Sequence, residues 1–526
     1  MTRKFFRLTL IFVVLFAFTG FVNSQTLWVS MQERVPAEWD KNAYSLVNRV
    51  KDWKPSETAI IICDMWDKHW CPVATKRFDE LAVALNPVID VARNKGVLIV
   101  HSPSGCMNYY KDFAQRKIMA DCKDKDIAAL IKDEKLPTES KIPFPIDASD
   151  DGCDCNPKSR IYTAWKKQTD VIPIKEQDII SESGEELGVY FKQHGIKNVI
   201  LVGVATNMCV LHRPFGLRNM KRLGMNVVLM RDMTDTMYTS QKPPYVDHYS
   251  GTDLVVEYIE TCVCPTIVST DFTGQKQFRF AEDKRKRIAF LVAEGEYHAN
   301  QRLPEFAHEL TLRNFNCDFS LGVPRMNGEG RHNLENLQLL EDADLMILYV
   351  RRRALETEKM AKVKKYVASG KPLFAIRTSA VAFDAQKPIS NKQGNILEQW
   401  KEFDKDVLGG NYQAYDSELR KQGTGTDVTI VSGQENHLLL KGVQPFHCQD
   451  WMYKNTPLRS DKAEILLRGK NPKWEEPVLW TNGDNVVYTS LGHWDDWKIE
   501  SFKNLMFNTV NYLLKEKNQK EQTALK

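Results

Sequence analysis

The sequence predicts an α/β fold made of two tandem three-layer α/β/α domains, each with a mainly parallel sheet. Three observations lead to this fold class. The chain has 526 residues, which is more than one ordinary hydrophobic core accommodates. Short, almost continuously apolar segments alternate with longer amphipathic ones, as expected for buried parallel strands and the helices that cover them. A polar and charged segment, residues 271–286, separates two such regions and is predicted to be a linker.

The first α/β region is predicted to cover residues 55–270. It opens with the apolar strand TAIIICDMW, which is followed by a helix-like segment and a second strand, VLIVHS. A polar insertion that carries several aspartates and cysteines, residues 107–170, then interrupts the alternation. The pattern resumes with a short predicted strand, VIPI at residues 171–174, and with the longer strand NVILVGV.

The second α/β region is predicted to cover residues 287–518, and a polar tail follows at residues 519–526. The region begins with the apolar strand RIAFLVAEG. It ends with the strand NVVYTSLGH and the amphipathic helix ESFKNLMFNTVNYLLKE. Strands and helices alternate here as they do in the first region, which indicates a second sheet covered by helices.

The N-terminus has the anatomy of a secretory signal peptide. A basic start, MTRKFFR, precedes the apolar run LTLIFVVLFAFTGFV, and the small residue Ser24 comes before Gln25. We expect cleavage after Ser24, so that residues 1–24 are the signal peptide and residues 25–54 an N-terminal extension. A permanent membrane anchor is the alternative, but the apolar run is shorter than the roughly 20 residues that a spanning helix needs. The expected location is therefore periplasmic or secreted, with no stable membrane insertion after cleavage.

The charge balance argues against nucleic acid as a partner. The chain has 72 Lys and Arg against 68 Asp and Glu, a formal net charge of +4. This balance lacks the strong positive excess that binding to a phosphate backbone favours. The expected partner is a small-molecule substrate, and the sequence leaves open whether the chain forms a homo-oligomer.

The chain has 11 cysteines, of which all but Cys448 lie before residue 320. In an oxidising compartment some of them are expected to form disulfides, and the odd total leaves at least one thiol unpaired. The close neighbours in sequence are Cys63 and Cys71, Cys153 and Cys155, and Cys262 and Cys264. The acidic run DASDDGCDC, residues 147–155, is expected to be a loop pinned by a disulfide, with a Ca²⁺ or Zn²⁺ site as the alternative.

The stretch GVATNMCVLHRPFG, residues 203–216, places Cys209 where a strand passes into a helix. Unpaired N–H groups and the positive end of the dipole at a helix start favour a thiolate and can hold an oxyanion. Asp64 ends the first apolar strand, where it can accept the thiol proton. Lys175 follows the predicted strand VIPI and would bring a cation that lowers the thiol pKa. A buried structural cysteine is the alternative, because free cysteine packs as a small hydrophobe.

These three residues carry a resemblance to the isochorismatase-like cysteine hydrolase superfamily, which includes nicotinamidases and N-carbamoyl amide hydrolases. Its pattern is an aspartate ending the first strand, a lysine ending a middle strand, and a cysteine in G-x-x-T-x-x-C-V, matched here at residues 203–210. The resemblance implies that Cys209 is the nucleophile, that Asp64 shuttles protons and that Lys175 steadies the anion. The implied reaction cleaves a C–N bond of an amide or carbamoyl group through a thioester.

The resemblance has two further implications for the backbone around Cys209. It implies an oxyanion hole formed by the backbone N–H groups of Ala205 and Cys209. It also implies a cis peptide bond between Val204 and Ala205.

Four further residues are predicted to contact the substrate: Trp66, His69, Trp70 and His101. The first three follow the first strand and indicate a pocket with aromatic walls, and the last ends the second strand. Nicotinamidases resemble one another in a metal site built from an Asp-x-His pair that follows the second strand. At that position this chain has the sequence HSPS, which does not contain such a pair. We therefore expect no cofactor, with a divalent metal near His69 or His101 as the alternative.

Residues 287–518 resemble the ThuA-like (trehalose utilisation) family, which has a class I glutamine-amidotransferase-like fold. The matching stretches are residues 296–298, 370–373 and 488–493. The elbow that carries the cysteine of a true amidotransferase reads AIRTS here, and Arg377 stands where ThuA-like relatives commonly have a histidine. Glutaminase chemistry is therefore not expected. His298, Arg377 and His493 are predicted to line a cleft for a sugar or another small polar ligand, with a structural or substrate-presenting domain as the alternative.

Three functions follow from these patterns. The first is an exported cysteine hydrolase, favoured because Asp64, Lys175 and Cys209 are all present. The second is a non-catalytic small-molecule binding protein that keeps the hydrolase fold. The third is a carbohydrate-active protein whose chemistry lies in the ThuA-like region.

Overall fold

The computed structural model describes residues 26–40, 42–324, 330–415 and 424–515. The expected signal peptide, residues 1–24, and the polar tail, residues 519–526, lie outside the described residues. Among the helices that the structure describes, none combines the length and the apolar character required to cross a membrane.

Two large sheets flanked by helices organise the described part of the chain, one with eight strands and the other with nine. The predicted α/β fold class is confirmed. Each sheet has buried apolar residues on both faces, which is why its central strands appear in the sequence as continuous apolar runs.

The first sheet has the order β2-β1-β8-β7-β6-β3-β4-β5. Its strands are β1 Leu27–Pro36, β2 Tyr44–Trp53, β3 Thr58–Cys63, β4 Leu98–Ser102, β5 Ile179–Ile180, β6 Asn198–Val204, β7 Asn226–Asp235 and β8 Thr266–Ile267. The strands from β8 to β5 are mutually parallel, whereas β1 pairs antiparallel with both β2 and β8.

Helices cover both faces of this sheet. They are α1 Pro72–Asn94, α2 Met107–Tyr110, α3 Ala114–Lys117, α4 Lys125–Leu130, α5 Gly184–His194, α6 Leu217–Arg222, α7 His248–Cys262 and α8 Thr270–Thr273. Alternate residues of β3 point to opposite faces, as in any strand. Ile60 and Ile62 pack in one core with residues of α1 and α8, whereas Ile61 and Cys63 pack in the other core with residues of α5, α6 and α7.

The second sheet has the order β10-β9-β11-β12-β19-β18-β17-β14-β15. Its strands are β9 Arg287–Ala293, β10 Asn316–Leu321, β11 Leu345–Val350, β12 Leu373–Ile376, β14 Thr426–Ile430, β15 Phe446–Cys448, β17 Ala463–Lys470, β18 Glu475–Asn482 and β19 Val486–Thr489. A separate pair consists of β13 Ala414–Tyr415 and β16 Tyr453–Lys454. The helices are α9 Ala299–Thr311, α10 Thr357–Ala368 and α11 Glu500–Leu514. The half of the sheet from β10 to β19 is parallel, and the half from β19 to β15 is antiparallel.

The strand predicted at residues 171–174 is not formed, and the strand that follows in the chain is Ile179–Ile180, which lies at the edge of the first sheet. Pro173 has no N–H to donate to a ladder, which disfavours a strand at this position. The chain then turns, with the N–H of Asp178 donating to the carbonyl oxygen of Lys175 at 3.2 Å, before the strand begins.

All 11 cysteines lie within the described residues and are free thiols, so the expected disulfides are not formed in this structure. The sheet itself explains one of the pairs. Cys63 packs on the face covered by α5, α6 and α7, whereas Cys71 packs on the face covered by α1. Closeness in sequence therefore does not bring these two sulfurs together.

The predicted N-terminal extension, residues 25–54, forms the β1–β2 hairpin within its described part. The hairpin joins the first sheet through the pairing of Gln32 with Thr266. On the other side, Leu46 packs into the core beneath the second sheet. The hairpin therefore contacts both α/β regions.

Candidate active site

Two neighbouring parallel strands bring Asp64 and Cys209 to the same edge of the first sheet. β3 and β6 pair in register with Cys63 opposite Gly203, so the residues that follow these strands leave the sheet side by side. Asp64 comes directly after β3. After β6 the chain forms a short π-helical turn, Thr206–Val210, which contains Cys209. Such turns are rare and are frequent at functional sites.

The backbone at this edge adopts left-handed conformations. The φ angle is +108° at Gly203, +59° at Ala205 and +50° at Asp64. A Cβ atom at position 203 would lie 2.1 Å from the carbonyl oxygen of Cys63, so only glycine fits there. Non-glycine residues with positive φ typically cost about 1–3 kcal/mol and cluster at active sites. The strain at Ala205 and Asp64 therefore falls beside the candidate nucleophile.

The peptide bond between Val204 and Ala205 is trans, so the cis bond that the resemblance implies is wrong. The chain reverses here through the positive φ of Ala205 instead. The N–H groups of Met208 and Val210 donate to the Ala205 carbonyl oxygen at 2.9 and 3.2 Å, which closes the turn around that residue. The oxyanion-hole role of the Ala205 and Cys209 N–H groups stays a prediction.

Asp64 is fully buried, and both of its carboxylate oxygens accept hydrogen bonds. The Ser104 N–H donates to Oδ1 at 2.7 Å, and Arg213 Nε donates to Oδ2 at 3.2 Å. Burial raises the pKa of Asp64, while Arg213, Cys209 and Ser104 act in the opposite direction. The carboxylate is therefore more basic than an exposed aspartate, which suits a proton acceptor.

Cys209 is half-buried, and its thiol interacts with both the Asp64 carboxylate and the Arg213 guanidinium. Burial raises the pKa of Cys209, and the negative charge of Asp64 raises it further, whereas Arg213 lowers it. The resting thiol therefore keeps its proton at neutral pH. Because an acceptor lies beside that proton, the arrangement allows deprotonation as the sulfur attacks.

Arg213 is the cation of this site, and sequence reasoning missed it. It lies four residues after Cys209, and its N–H donates to the Cys209 carbonyl oxygen at 3.0 Å. Residues four apart share a face of a helix, so this spacing was the signal that could have identified it.

Lys175, the predicted cation, is not among the groups that act on the Cys209 or Asp64 pKa most strongly. It is exposed and precedes β5, and its N–H donates to Asp178 Oδ2 at 2.8 Å. The prediction that it follows a strand is wrong, because the strand assigned to residues 171–174 is not formed. The cation that interacts with the Cys209 thiol is Arg213.

An aromatic wall, formed by Trp66 and Trp165, borders Cys209. The two rings stack with centroids 4.1 Å apart and an interplanar angle of 11°. Both belong to an apolar cluster that also includes Cys209. Trp66 Nε1 donates to the Ser104 carbonyl oxygen at 3.0 Å, which fixes the indole next to the partners of Asp64. Trp66 was predicted, but Trp165 was not, since no local pattern shows that the insertion folds back here.

His69 packs against both rings of this wall, and Trp70 lies beside His69. The His69 ring centroid is 6.0 Å from that of Trp165, and Nδ1 accepts the N–H of Cys71 at 3.2 Å. Burial, together with the nearby Arg77, lowers the pKa of His69 to about 4, so the ring is neutral at neutral pH. Trp70 is buried and packs in the core with residues of α1.

His101 is fully buried, and both of its ring nitrogens have partners. Nδ1 lies 3.0 Å from Gln168 Oε1, and Nε2 lies 3.0 Å from Asp178 Oδ2. His101 therefore links β4 to the irregular segment that precedes β5. This position supports a structural role rather than the predicted contact with substrate.

A cavity of about 620 Å³ opens beside Cys209. It is lined by Ile131, Lys132, Asp133, Met208, Cys209, His212, Arg213, Pro214 and Asn219. Its size is within the range of small-molecule sites. One wall comes from the insertion and the other from the turn that carries Cys209, so a ligand in the cavity would reach the sulfur.

In the second α/β region, Arg377 and His493 meet at a residue that sequence reasoning missed, Asp450. Arg377 Nη2 donates to Asp450 Oδ2 at 2.6 Å, and His493 Nε2 lies 3.1 Å from the same oxygen. The Tyr297 ring faces the Arg377 guanidinium at 4.1 Å. All four residues are buried. Asp450 lies between β15 and β16, where no motif indicated a functional residue.

His298 lies at the edge of this cluster within a stack of three rings. Its centroid is 4.8 Å from that of Trp494 and, on its other face, 4.1 Å from that of Trp39. Trp39 belongs to the turn of the β1–β2 hairpin. The structure therefore brings the three predicted residues into one cluster, and the N-terminal hairpin adds a ring to it; their role in ligand binding stays a prediction.

No family model and no curated protein matches this chain. Solved structures do match, and each of the three described here covers less than half of this chain. A ThuA-like protein from Bacteroides uniformis is 15% identical, covers 45% of this chain and 94% of its own, and has a TM-score of 0.32. A cysteine hydrolase from Pseudomonas syringae pv. phaseolicola is 14% identical, with coverages of 42% and 92% and a TM-score of 0.27. An isochorismatase family protein from Burkholderia thailandensis is 12% identical, with coverages of 42% and 95% and a TM-score of 0.24.

Proposed function

We propose that this protein is a cysteine hydrolase that cleaves a C–N bond of a small amide or carbamoyl compound. Cys209 is the nucleophile and Asp64 the general base. The observation that carries the proposal is the contact of the Cys209 thiol with a buried carboxylate and with Arg213 at the edge of a parallel sheet. That edge is where open α/β sheets bind their ligands.

In the first half of the reaction, Asp64 takes the thiol proton while the sulfur attacks the carbonyl carbon. A C–S bond forms, and the carbonyl π electrons move to the oxygen, which the N–H groups of Ala205 and Cys209 would hold. The tetrahedral intermediate then collapses and the C–N bond breaks. Asp64 returns its proton to the nitrogen, so that ammonia or an amine leaves and a thioester remains.

In the second half, a water molecule attacks the thioester carbon while Asp64 takes one of its protons. The C–S bond breaks, the acid product leaves, and the sulfur recovers the proton from Asp64. Arg213 favours the ionised form of the buried Asp64 before each of these transfers, because its positive charge opposes the effect of burial on the carboxyl pKa.

The surroundings of Cys209 favour a small substrate with a flat or apolar part beside the reacting carbonyl. The Trp66–Trp165 wall offers an apolar surface, and the cavity of about 620 Å³ accommodates a small molecule. Cleavage of residues 1–24 would place this activity in the periplasm or outside the cell. The export signal is part of the proposal.

Turnover of an amide panel tests the proposal. The purified protein is incubated with aliphatic amides, nicotinamide, carbamates and N-carbamoyl compounds, and release of ammonia or amine is measured. We expect Cys209→Ala to lower turnover by at least about 1,000-fold, as loss of a nucleophile does in other hydrolases. Asp64→Asn removes the proton acceptor and is expected to lower turnover by about 100-fold or more. Iodoacetamide should modify Cys209 in the native protein, as read by mass spectrometry.

Cys262→Ala is the matched control, since Cys262 is a buried free thiol on α7. It should leave turnover unchanged. Full turnover in Cys209→Ala would overturn the proposal. Ligand binding without turnover, with equal affinity in the wild type and Cys209→Ala, would instead identify a binding protein.

The polar and aromatic group around Asp450 leads us to propose separately that this part of the second region binds a carbohydrate or a similar polyol. Asp450 is flanked by Arg377 and His493, and aromatic rings surround the group, which combines polar partners with apolar surface. Titration with mono- and disaccharides, followed by tryptophan fluorescence, tests it. We expect His493→Ala to abolish binding and Cys209→Ala to leave it unchanged. The same affinity in His493→Ala would contradict it.

A further inference from the structure

Three cysteines from distant parts of the chain converge beside the aromatic wall. Cys71 Sγ lies 3.0 Å from Cys153 Sγ and 3.5 Å from Cys155 Sγ, and the three sulfurs all lie within 4.8 Å of one another. Tetrahedral zinc with Zn–S bonds of about 2.3 Å places its sulfurs about 3.8 Å apart. Two of the observed separations are shorter than this spacing and the third does not exceed 4.8 Å, so the three sulfurs are grouped closely enough for one zinc ion to contact them all.

The start of α1 provides electrostatic support for thiolates at this cluster. Cys71 is the N-cap residue of this 23-residue helix. The first N–H groups of a helix have no acceptor within the helix itself. N–H donors and the positive end of a helix dipole both stabilise negative charge on sulfur.

Asp154 lies between the two cysteines of the insertion in sequence and places an oxygen near Cys71. Its Oδ1 atom is 3.8 Å from Cys71 Sγ. Its other oxygen, Oδ2, accepts a hydrogen bond from Arg77 Nη1 at 2.8 Å. Carboxylates near bound metal ions are commonly held in orientation by hydrogen bonds, as Arg77 holds Asp154 here.

The segment that carries Cys153 and Cys155 has almost no secondary structure to hold it in place. Between Lys141 and Ile179 the structure describes neither a helix nor a strand, apart from an isolated bridge that pairs Gln168 with Trp66. Irregular segments of this length are uncommon in compact domains unless they are functional. The same segment supplies Trp165 to the wall beside Cys209, so its position matters for the candidate active site.

We propose that Cys71, Cys153 and Cys155 bind one Zn²⁺ ion as thiolates. Each thiol gives up one proton when the metal binds. Thiolates are soft ligands that select Zn²⁺ over Mg²⁺ and Ca²⁺. The ion ties the insertion to the start of α1 and thereby holds Trp165 against Trp66. This role is independent of the hydrolase proposal, because it concerns metal content and not turnover.

A disulfide is the competing chemistry for the same sulfurs. It would join only two of the three and would leave the third as an unpaired thiol. Zinc engages all three at once, so the number of protected thiols distinguishes the two states.

Metal content provides the first test. Full-length protein is purified without chelator, and bound zinc is measured by plasma mass spectrometry. We expect one Zn²⁺ per chain. The demetallated protein is then titrated with Co²⁺, for which thiolate-to-cobalt charge-transfer absorption in the near ultraviolet is expected. Zn²⁺ should abolish this absorption and should protect three thiols from N-ethylmaleimide.

Variants locate the site. Cys153→Ser and Cys155→Ser are expected to weaken Zn²⁺ binding by at least about 100-fold, since even the loss of a group that orients a ligand costs about 10–100-fold. Cys122→Ser is the matched control, because Cys122 is a buried free thiol outside the cluster, and it should bind Zn²⁺ normally. If a variant fails to fold, the cobalt spectrum of the wild-type protein still tests whether thiolates bind the metal.

Three results would overturn the proposal. One is folded wild-type protein that binds neither Zn²⁺ nor Co²⁺ at micromolar concentration. Another is a native disulfide between Cys71 and either of the other two cysteines, found by mass spectrometry of protein purified without reductant. The third is unchanged zinc affinity in both cluster variants.

Discussion

Arg213 Nε lies 3.2 Å from Asp64 Oδ2, and the same guanidinium interacts with the Cys209 thiol. One cation therefore contacts both the proton acceptor and the candidate nucleophile. Its charge lowers the pKa of both groups, against the effect of burial, which raises them. Arg213 thus affects the pKa of both the proton donor, Cys209, and the proton acceptor, Asp64.

Replacing Arg213 tests this relationship. In Arg213→Met the Asp64 pKa should rise further, because burial would no longer be opposed by the positive charge. Asp64 can no longer accept a proton once the pH falls below its pKa. The pH at which kcat/KM declines on the acid side should therefore be higher in the variant. We expect roughly tenfold or greater loss of kcat/KM at neutral pH, a part of what a positioned base contributes. Arg213→Lys should recover part of the shift, and an unchanged pH profile in Arg213→Met would contradict this role.

Lys175→Met tests whether the cation of the site is Lys175, as the sequence predicts, or Arg213, as the structure indicates. Lys175 is exposed and lies before β5, whereas Arg213 interacts with the reacting thiol. We therefore expect Lys175→Met to keep kcat/KM within about twofold of the wild type, as is usual for surface substitutions. Steady-state kinetics beside Arg213→Met provide the comparison. A loss as large as that in Arg213→Met would restore the role that the sequence assigned to Lys175.

Trp165→Ala should weaken substrate binding more than it slows the chemistry. The change removes one ring of the pair stacked 4.1 Å apart, and such pairs contribute about 0.5–1.5 kcal/mol beyond their buried area. We expect KM to rise up to about tenfold with a smaller change in kcat. Trp28→Ala is the control, because Trp28 is 62% exposed on β1. Equal effects in the two variants would exclude a specific contribution of the wall.

Gly203→Ala should destabilise the first region strongly. The new Cβ would lie 2.1 Å from the Cys63 carbonyl oxygen, at a residue with φ of +108°. We expect a loss of about 2–4 kcal/mol, combining overpacking with backbone strain. Gly195→Ala is matched in having positive φ, +70°, but its Cβ meets nothing within 4 Å. It should cost only about 1–2 kcal/mol, and equal losses in urea denaturation would refute the steric argument.

Glu294 should make the second region less stable as pH rises. Burial raises the pKa of this carboxyl from 4.5 to about 7. A folded-state pKa above the unfolded value gives stability that is fully present below pH 4.5 and is lost as pH rises to about 7. Between pH 5 and pH 8 the expected loss is about 2 kcal/mol. Glu294→Gln should remove this pH dependence in calorimetric unfolding, and an identical dependence in the variant would contradict it.

The fold class could be predicted because buried parallel strands have a local signature. β3, β6, β9 and β11 are continuous apolar runs, since each is covered on both faces. The strand proposed at residues 171–174 failed because a short apolar run does not determine where an edge strand pairs. The hairpin at residues 25–54 was not recognised as part of the first sheet, because its partner, Thr266, is far away in sequence.

The sequence by itself determined the ends of β3 and β6, and with them Asp64 and Cys209, because residues that follow neighbouring parallel strands share an edge. The tertiary structure decided the cation, the second ring of the wall and the cluster of three thiols. Trp165 and Cys153 reach their partners through side-chain contacts across irregular segments, and such contacts have no period or spacing in the sequence. Arg213 is four residues from Cys209, but its contact with Asp64 joins two segments that are distant in the sequence. Hydrophobic periodicity records burial along one element, whereas the meeting of distant polar groups depends on how the elements and loops pack together.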